Sequence, residues 1–194
     1  MRINFNKTCS SHVPILLEVM EKFSPYRILE FGCGLFSTGT FLKYHVDLTS
    51  IEIGNFEWYS MIKRRFAGSQ KLNLVYEKEF STEILTKLNE EYDLIFIDCH
   101  TNRTEVTNWA FNKSNIIICH DTQVHWVKGI KPDTGYSKIH FIKFPVKYKN
   151  HRKDAFADRP WTTLFTKSAI MHKHFLGAES RLYSAYQFPY WIKL

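Results

Sequence analysis

No stretch of this 194-residue chain approaches the ~18 consecutive apolar residues that a membrane helix needs, so no membrane span is expected. The polar run from Met1 to Ser11 lacks the basic-then-apolar pattern of a signal peptide. Cysteine is scarce. Cys9, Cys33, Cys99 and Cys119 form neither a CxxC pair nor a dense framework, which excludes a disulfide scaffold and predicts reduced thiols in a cytoplasmic protein. Internal repeats and low-complexity tracts are also missing. What is present is core-forming material: 44% of the residues are apolar and 16% aromatic, which excludes a disordered chain. A single domain over residues 1–194 is the expectation at this length.

The formal net charge of +7 is unevenly placed. Lys128 to His174 hold 11 Lys/Arg against 3 Asp/Glu, while the rest of the chain is close to neutral. The chain thus divides into residues 1–127 and a basic half, residues 128–194. Such a segment attracts phosphates and other anions, or simply solvates a surface.

Apolar periodicity alternates between helix and strand. Val13, Leu16, Leu17 and Met20 share a helical face behind Ser10 and Ser11, which suit N-caps. Arg27 to Phe31 reads as a buried strand, and a helix follows from about Ser37 to Tyr44. Val46 to Ile53 is the next strand. Asn55 caps a helix bearing Trp58, Met61, Ile62 and Phe66, and Leu72 to Tyr76 is a strand. Ser81 opens a helix with Ile84, Leu85 and Leu88, before the strand Tyr92 to Asp98. Asn102 and Glu105 have capping-box spacing, and Asn115 to Cys119 is a fifth strand. Continuous apolar strands between amphipathic helices predict a Rossmann-like, doubly wound α/β sheet. After residue 128 the rhythm changes. Lys138 to Phe144 and Thr162 to Thr166 are expected to add an antiparallel C-terminal hairpin, giving seven strands, five of them parallel. Ser168 to Phe175 carries helix signals, whereas the aromatic tail from Phe188 to Trp191 fits no element.

The strongest chemical signal is Glu30-Phe31-Gly32-Cys33-Gly34-Leu35-Phe36-Ser37-Thr38, a strand running into a glycine turn and a helix. Glycine serves where backbone must approach a ligand closely or take positive φ. Glu52 follows 22 residues after Glu30, at the end of the next strand, where an acid can accept from both ribose hydroxyls of a nucleoside. A nicotinamide dinucleotide wants GxGxxG. Here Ser37 holds the third glycine position, and Glu30 sits badly beside a pyrophosphate. S-adenosylmethionine has no phosphate and carries a cationic ammonium and sulfonium, which an acid favours.

These residues resemble motif I of the class I S-adenosylmethionine-dependent methyltransferases, in the variant with Ser-Thr after the glycines found in a small-molecule branch. Asp93 to Asp98, Glu105 with Trp109, and Ile116 to Thr122 are similar to the fourth and fifth strands of that branch, so the resemblance runs from Ser11 to Thr122. Two departures touch the substrate side. Cys99-His100-Thr101 replaces the usual Gly-Asp-His, and Phe111 to Ser114 lacks Pro-Gly-Gly.

The resemblance implies S-adenosylmethionine as cofactor. Glu30 would hold its ammonium, Gly32, Gly34 and Ser37 would form the turn against it, and Glu52 would bind the ribose. Asp98 would face the methyl donor and the nucleophile, with His120 and Asp121 closing the neighbouring strand. Asp98 with Asp121 would offer oxygen ligands to Mg²⁺, as in catechol-type O-methyltransferases, or His120 would act as a metal-free base. No Asn/Asp-Pro-Pro-Tyr motif follows the fourth strand, and no cysteine cluster could hold an iron–sulfur centre. An oxygen acceptor on a small polar or anionic substrate is therefore expected. The alternative is a catalytically silent module of this fold that binds RNA or another acidic partner through the basic half. Trp58 is read as core, Cys99 and Cys119 as small buried hydrophobes.

Overall fold

A computed structural model describes residues 2–4, 12–122, 128–141, 162–178, 182 and 191–193. Its elements run β1 (Arg2–Asn4), α1 (Val13–Phe23), β2 (Arg27–Phe31), α2 (Ser37–Lys43), β3 (Asp47–Ile53), α3 (Phe56–Arg65), β4 (Leu72–Glu77), α4 (Thr82–Lys87), β5 (Leu94–Ile97), α5 (Arg103–Ala110), β6 (Ile116–His120), β7 (Ser137–Phe141), β8 (Thr162–Thr166), α6 (Ala169–Phe175) and β9 (Trp191–Lys193). The main sheet has seven strands in the order β4-β3-β2-β5-β6-β8-β7. Strands β2 to β6 are mutually parallel, while β8 is antiparallel to both β6 and β7.

The expected α/β architecture of five parallel strands plus an antiparallel C-terminal pair is thus present. One detail is topological: β8 inserts beside β6 and leaves β7 at the edge. The tail that fits no element in sequence contributes β9, which pairs antiparallel with β1. Short pairings between chain ends leave no periodic signature of their own.

The parallel strands are buried on both faces because their residues alternate between two cores. Ile28, Leu48, Leu94, Phe96 and Ile118 pack with α1, Phe41 of α2, and Met171 and Phe175 of α6. Leu29, Phe31, Ile51, Ile95, Ile97 and Ile117 pack with Ile84 and Leu85 of α4 and Val106 and Ala110 of α5. This period-two division explains why the central strands β5 and β6 read as nearly unbroken apolar runs, while the edge strand β4 is only half-buried.

Several boundary expectations change. His12 stands at the N-cap of α1, without a side-chain cap, and Ser10 and Ser11 lie outside the described residues. Asn55 caps α3 as expected, its Oδ1 accepting from Trp58 N at 3.0 Å. Asn102 does not build the capping box. It is left-handed (φ 56°), makes no cap bond, and its Nδ2 meets Glu105 Oε2 only at 3.4 Å. Most of the basic loop, residues 142–161, lies outside the described residues, as does the stretch of the expected strand beyond Phe141.

Candidate active site

The order of the strands reverses about β2, whose neighbours are β3 and β5. Crevices outside the carboxyl ends at such a point are where doubly wound sheets take ligands. Glu30, the glycine turn, Glu52, Asp98, His120 and Asp121 all lie at these strand ends.

Glu30 is fully buried near the end of β2. Its Oε2 accepts from Ser50 Oγ at 2.5 Å and from Thr38 Oγ1 at 2.6 Å. Ser50 is the register partner of Glu30 on β3, and Thr38 belongs to the first turn of α2. The other oxygen, Oε1, is buried with no hydrogen-bond partner. Burial pushes the Glu30 carboxyl up to about 7, against the pull of the Ser50 and Thr38 hydroxyls on Oε2 and of a neighbouring Ser37 hydroxyl that makes no hydrogen bond to Oε1. A buried carboxylate oxygen without a donor is costly, and a cationic ligand group removes the cost. The residues present therefore fit a ligand with an ammonium group.

The turn is shaped by packing as well as by any ligand. Gly32 has φ +89°, and a Cβ there would lie 2.5 Å from the backbone oxygen of Asp98. Its lack of a side chain is required by the neighbouring strand end, a cause that the sequence reading assigned to the cofactor. At Gly34 a Cβ would meet Ser37 Oγ at 2.9 Å, and the Gly34 N–H donates to Thr38 Oγ1 at 3.0 Å. Ser37 is buried at the start of α2. Glu52, also buried, accepts from Cys33 Sγ at 3.4 Å, and burial raises its carboxyl. Trp58 departs from its expected core position. It is 37% exposed and its Nε1 donates to the Cys33 carbonyl at 2.5 Å, so the indole borders the glycine turn.

On the other side of the reversal, Asp98 follows β5 and His120 ends β6. Asp98 Oδ1 contacts His120 Nδ1 at 3.1 Å and accepts from Arg103 Nη2 at 3.2 Å. Burial works against the Asp98 carboxylate, yet His120, His12 and Arg103 together hold it below its usual range. His120 is pushed down by burial and up by Asp98 and Asp121, with a net rise. Asp121, left-handed at φ 55°, lies 3.7 Å from His120 Nδ1 and 3.5 Å from Arg103 Nη1.

The expected Asp98–Asp121 pair for Mg²⁺ meets a physical obstacle. The Arg103 guanidinium already bridges the two carboxylates and supplies the positive charge between them. Arg103 also donates to the carbonyls of Cys99 and His120, the latter at 3.1 Å, tying the ends of β5 and β6 to the start of α5. The Cys99 and Cys119 thiols are pushed by burial up to about 12, as expected of inert packing groups.

Four residues escaped the sequence reading. Thr38 and Ser50 could have been found, the first from the quoted motif and the second from strand register. Arg103, in the first turn of α5, and His12, at the start of α1, carry no periodic signal. His12 is 2% exposed, its ring 4.5 Å from that of His120 and 5.0 Å from Phe96, and burial lowers it to about 3.

No protein-family model matches the chain, and no curated protein matches it by sequence. Solved structures do. A candidate O-methyltransferase of Klebsiella pneumoniae is 18% identical, with a TM-score of 0.63 over 83% of this chain and 81% of that one. The S-adenosylhomocysteine-bound methyltransferase PaMTH1 of Podospora anserina is 15% identical, with a TM-score of 0.54 over 78% and 76%. The bifunctional kinase-methyltransferase WbdD is 12% identical at a TM-score of 0.54, and the chain spans only 40% of its length. With the strand order, the reversal point and these likenesses together, the chain has the fold of the class I S-adenosylmethionine-dependent methyltransferases.

Proposed function

We propose that this protein is an S-adenosylmethionine-dependent methyltransferase that modifies an oxygen of a small polar or anionic acceptor. The observation that carries the reading is the buried, unpartnered Oε1 of Glu30 beside the glycine turn. Nucleoside-binding folds that take a phosphate have no use for an unpaired buried carboxylate there, whereas a ligand ammonium does. The structure of PaMTH1 with bound S-adenosylhomocysteine supports the same cofactor class.

In this reading Glu30 Oε1 accepts from the ligand ammonium while Thr38 and Ser50 fix Oε2. Glu52 accepts from the ribose hydroxyls, and Trp58 covers the turn between them. The bound cofactor supplies an already activated methyl group, so the protein's task is chiefly positioning. An acceptor hydroxyl must lose its proton near neutral pH. In this reading Asp98 and His120, hydrogen-bonded at adjacent strand ends, receive that proton.

Titration calorimetry with S-adenosylhomocysteine tests the reading. Binding is expected, with loss in Glu52→Ala. Binding of NAD in its place, or of neither ligand, overturns it. Steep salt-dependent RNA binding without cofactor affinity would instead favour a silent module acting through the basic half.

A further inference from the structure

Three side chains from separate elements converge on one point beside Asp98. His12 comes from the N-cap of α1, Asp98 from the end of β5 and His120 from the end of β6. One nitrogen or oxygen of each lies within 4.8 Å of the other two. His12 is 2% exposed, and both its ring nitrogens are buried with no partner. An imidazole in that condition gives up a hydrogen bond at each nitrogen unless something occupies the space. Its ring and that of His120 meet in a T-shaped arrangement at an interplanar angle of 73°.

We propose that His12, Asp98 and His120 form a three-ligand site for a divalent transition-metal ion of the Zn²⁺ class. Two imidazoles and one carboxylate suit Zn²⁺, Co²⁺ or Fe²⁺, whereas Mg²⁺ prefers an octahedron of oxygens. Ligand atoms ~2.0–2.1 Å from a tetrahedral ion stand about 3.4 Å apart. Asp98 Oδ1 and His120 Nδ1 are already 3.1 Å apart, and all three ligand atoms lie within 4.8 Å of one another. Arg103 holds Asp98 Oδ1 at 3.2 Å, which orients the carboxylate ligand, and fixes the backbone of His120 through its carbonyl at 3.1 Å. Three protein ligands leave a position open, the pattern of catalytic sites. The site stands on its own geometry. Its use, lowering the pKa of an acceptor hydroxyl bound at the open position, rests on the methyl-transfer reading.

Chelator-treated, metal-free protein titrated with Co²⁺ gives the test. One equivalent is expected to bind, with visible absorption bands that Zn²⁺ displaces and excess Mg²⁺ does not. His12→Gln and Asp98→Asn should weaken binding more than about tenfold, while His100→Ala, an exposed neighbour, should not. Absence of the bands, or their survival at native affinity in folded His12→Gln, overturns the site. Should the variants not fold, proton NMR of the Co²⁺-loaded native protein decides: paramagnetic shifts on the rings of two histidines support it, and any other number refutes it. S-adenosylhomocysteine titrated in parallel separates the two ideas. Lost Co²⁺ binding with retained nucleoside binding sinks the metal site alone, and the reverse sinks methyl transfer alone.

Discussion

Glu30 is where stability and binding are expected to pull in opposite directions. Its carboxyl, raised to about 7 by burial, is partly ionised at neutral pH with Oε1 unpaired. Glu30→Gln removes that buried charge and keeps the volume. At pH 8 the ligand-free variant should gain about 1–3 kcal/mol of stability, seen as a higher Tm. The same substitution should weaken S-adenosylhomocysteine about 10–100-fold by calorimetry, because a charge-assisted bond to the ammonium is lost. A variant that is less stable and binds normally would contradict the role. In the native protein, only ionised Glu30 pairs with the ammonium, so affinity should fall about tenfold between pH 8 and pH 6. Gly32 offers a different residue-scale test. With φ at +89° and the Asp98 backbone 2.5 Å from a Cβ, Gly32→Ala should cost roughly 2–4 kcal/mol in urea unfolding. A loss below about 0.5 kcal/mol would mean that the turn can shift.

Among the elements, α5 and α3 do the positioning. Arg103, in the first turn of α5, ties the ends of β5 and β6 together through Cys99 O, His120 O, Asp98 and Asp121. Arg103→Leu is expected to lower Tm and turnover while changing nucleoside affinity less than about threefold, since the proposed nucleoside contacts lie at β2 and β3. An equal loss of nucleoside affinity would show that the two halves of the site are not separable. Helix α3 depends on Asn55, whose Oδ1 holds Trp58 N at 3.0 Å. Asn55→Ala should cost about 1 kcal/mol in unfolding. It should also loosen Trp58 from the Cys33 carbonyl, readable as a shift in tryptophan emission. The helices expected from apolar spacing formed within a residue or two of their bounds, because that spacing is what buries them. The cap at Asn102 failed: its backbone is left-handed, and its side chain meets Glu105 Oε2 and accepts nothing from the first N–H groups of α5.

At the scale of the molecule, ligand binding and pH act on one equilibrium. The folded pKa of Glu30 is raised from 4.5, so its contribution to stability is full below pH 4.5 and is lost as pH rises through about 7. That loss is on the order of 3 kcal/mol, read as the difference between native protein and Glu30→Gln across this window. Bound S-adenosylhomocysteine should offset it. At 100 times its Kd the ligand adds about 2.7 kcal/mol, a Tm rise of roughly 5–11 °C for a chain of this length. A rise that is the same at pH 5 and pH 8, after correction for saturation, would exclude coupling through Glu30.

What the sequence by itself determined is the sheet and the placing of Glu30, the glycine turn and Glu52 at adjacent strand ends. Arg27–Phe31 and Thr162–Thr166 match their strands residue for residue, since the β-branched and apolar residues that dominate them suit a pleated, buried surface. Glu30, the glycine turn and Glu52 were legible because the spacing of one strand–turn–helix unit sets their distances along the chain. Only tertiary structure decided what stands across from them. His12 is far in sequence from Asp98 and His120, and no local period links them. It reaches them because α1 packs over β5 and β6 through the core of Leu94, Phe96 and Ile118. The same holds for Arg103, which stands between Asp98 and Asp121 where the sequence alone suggested a shared cation. Local interactions encode elements and turns. Which charged and polar groups face one another is set by strand order and helix packing, a long-range consequence of burying two apolar faces at once.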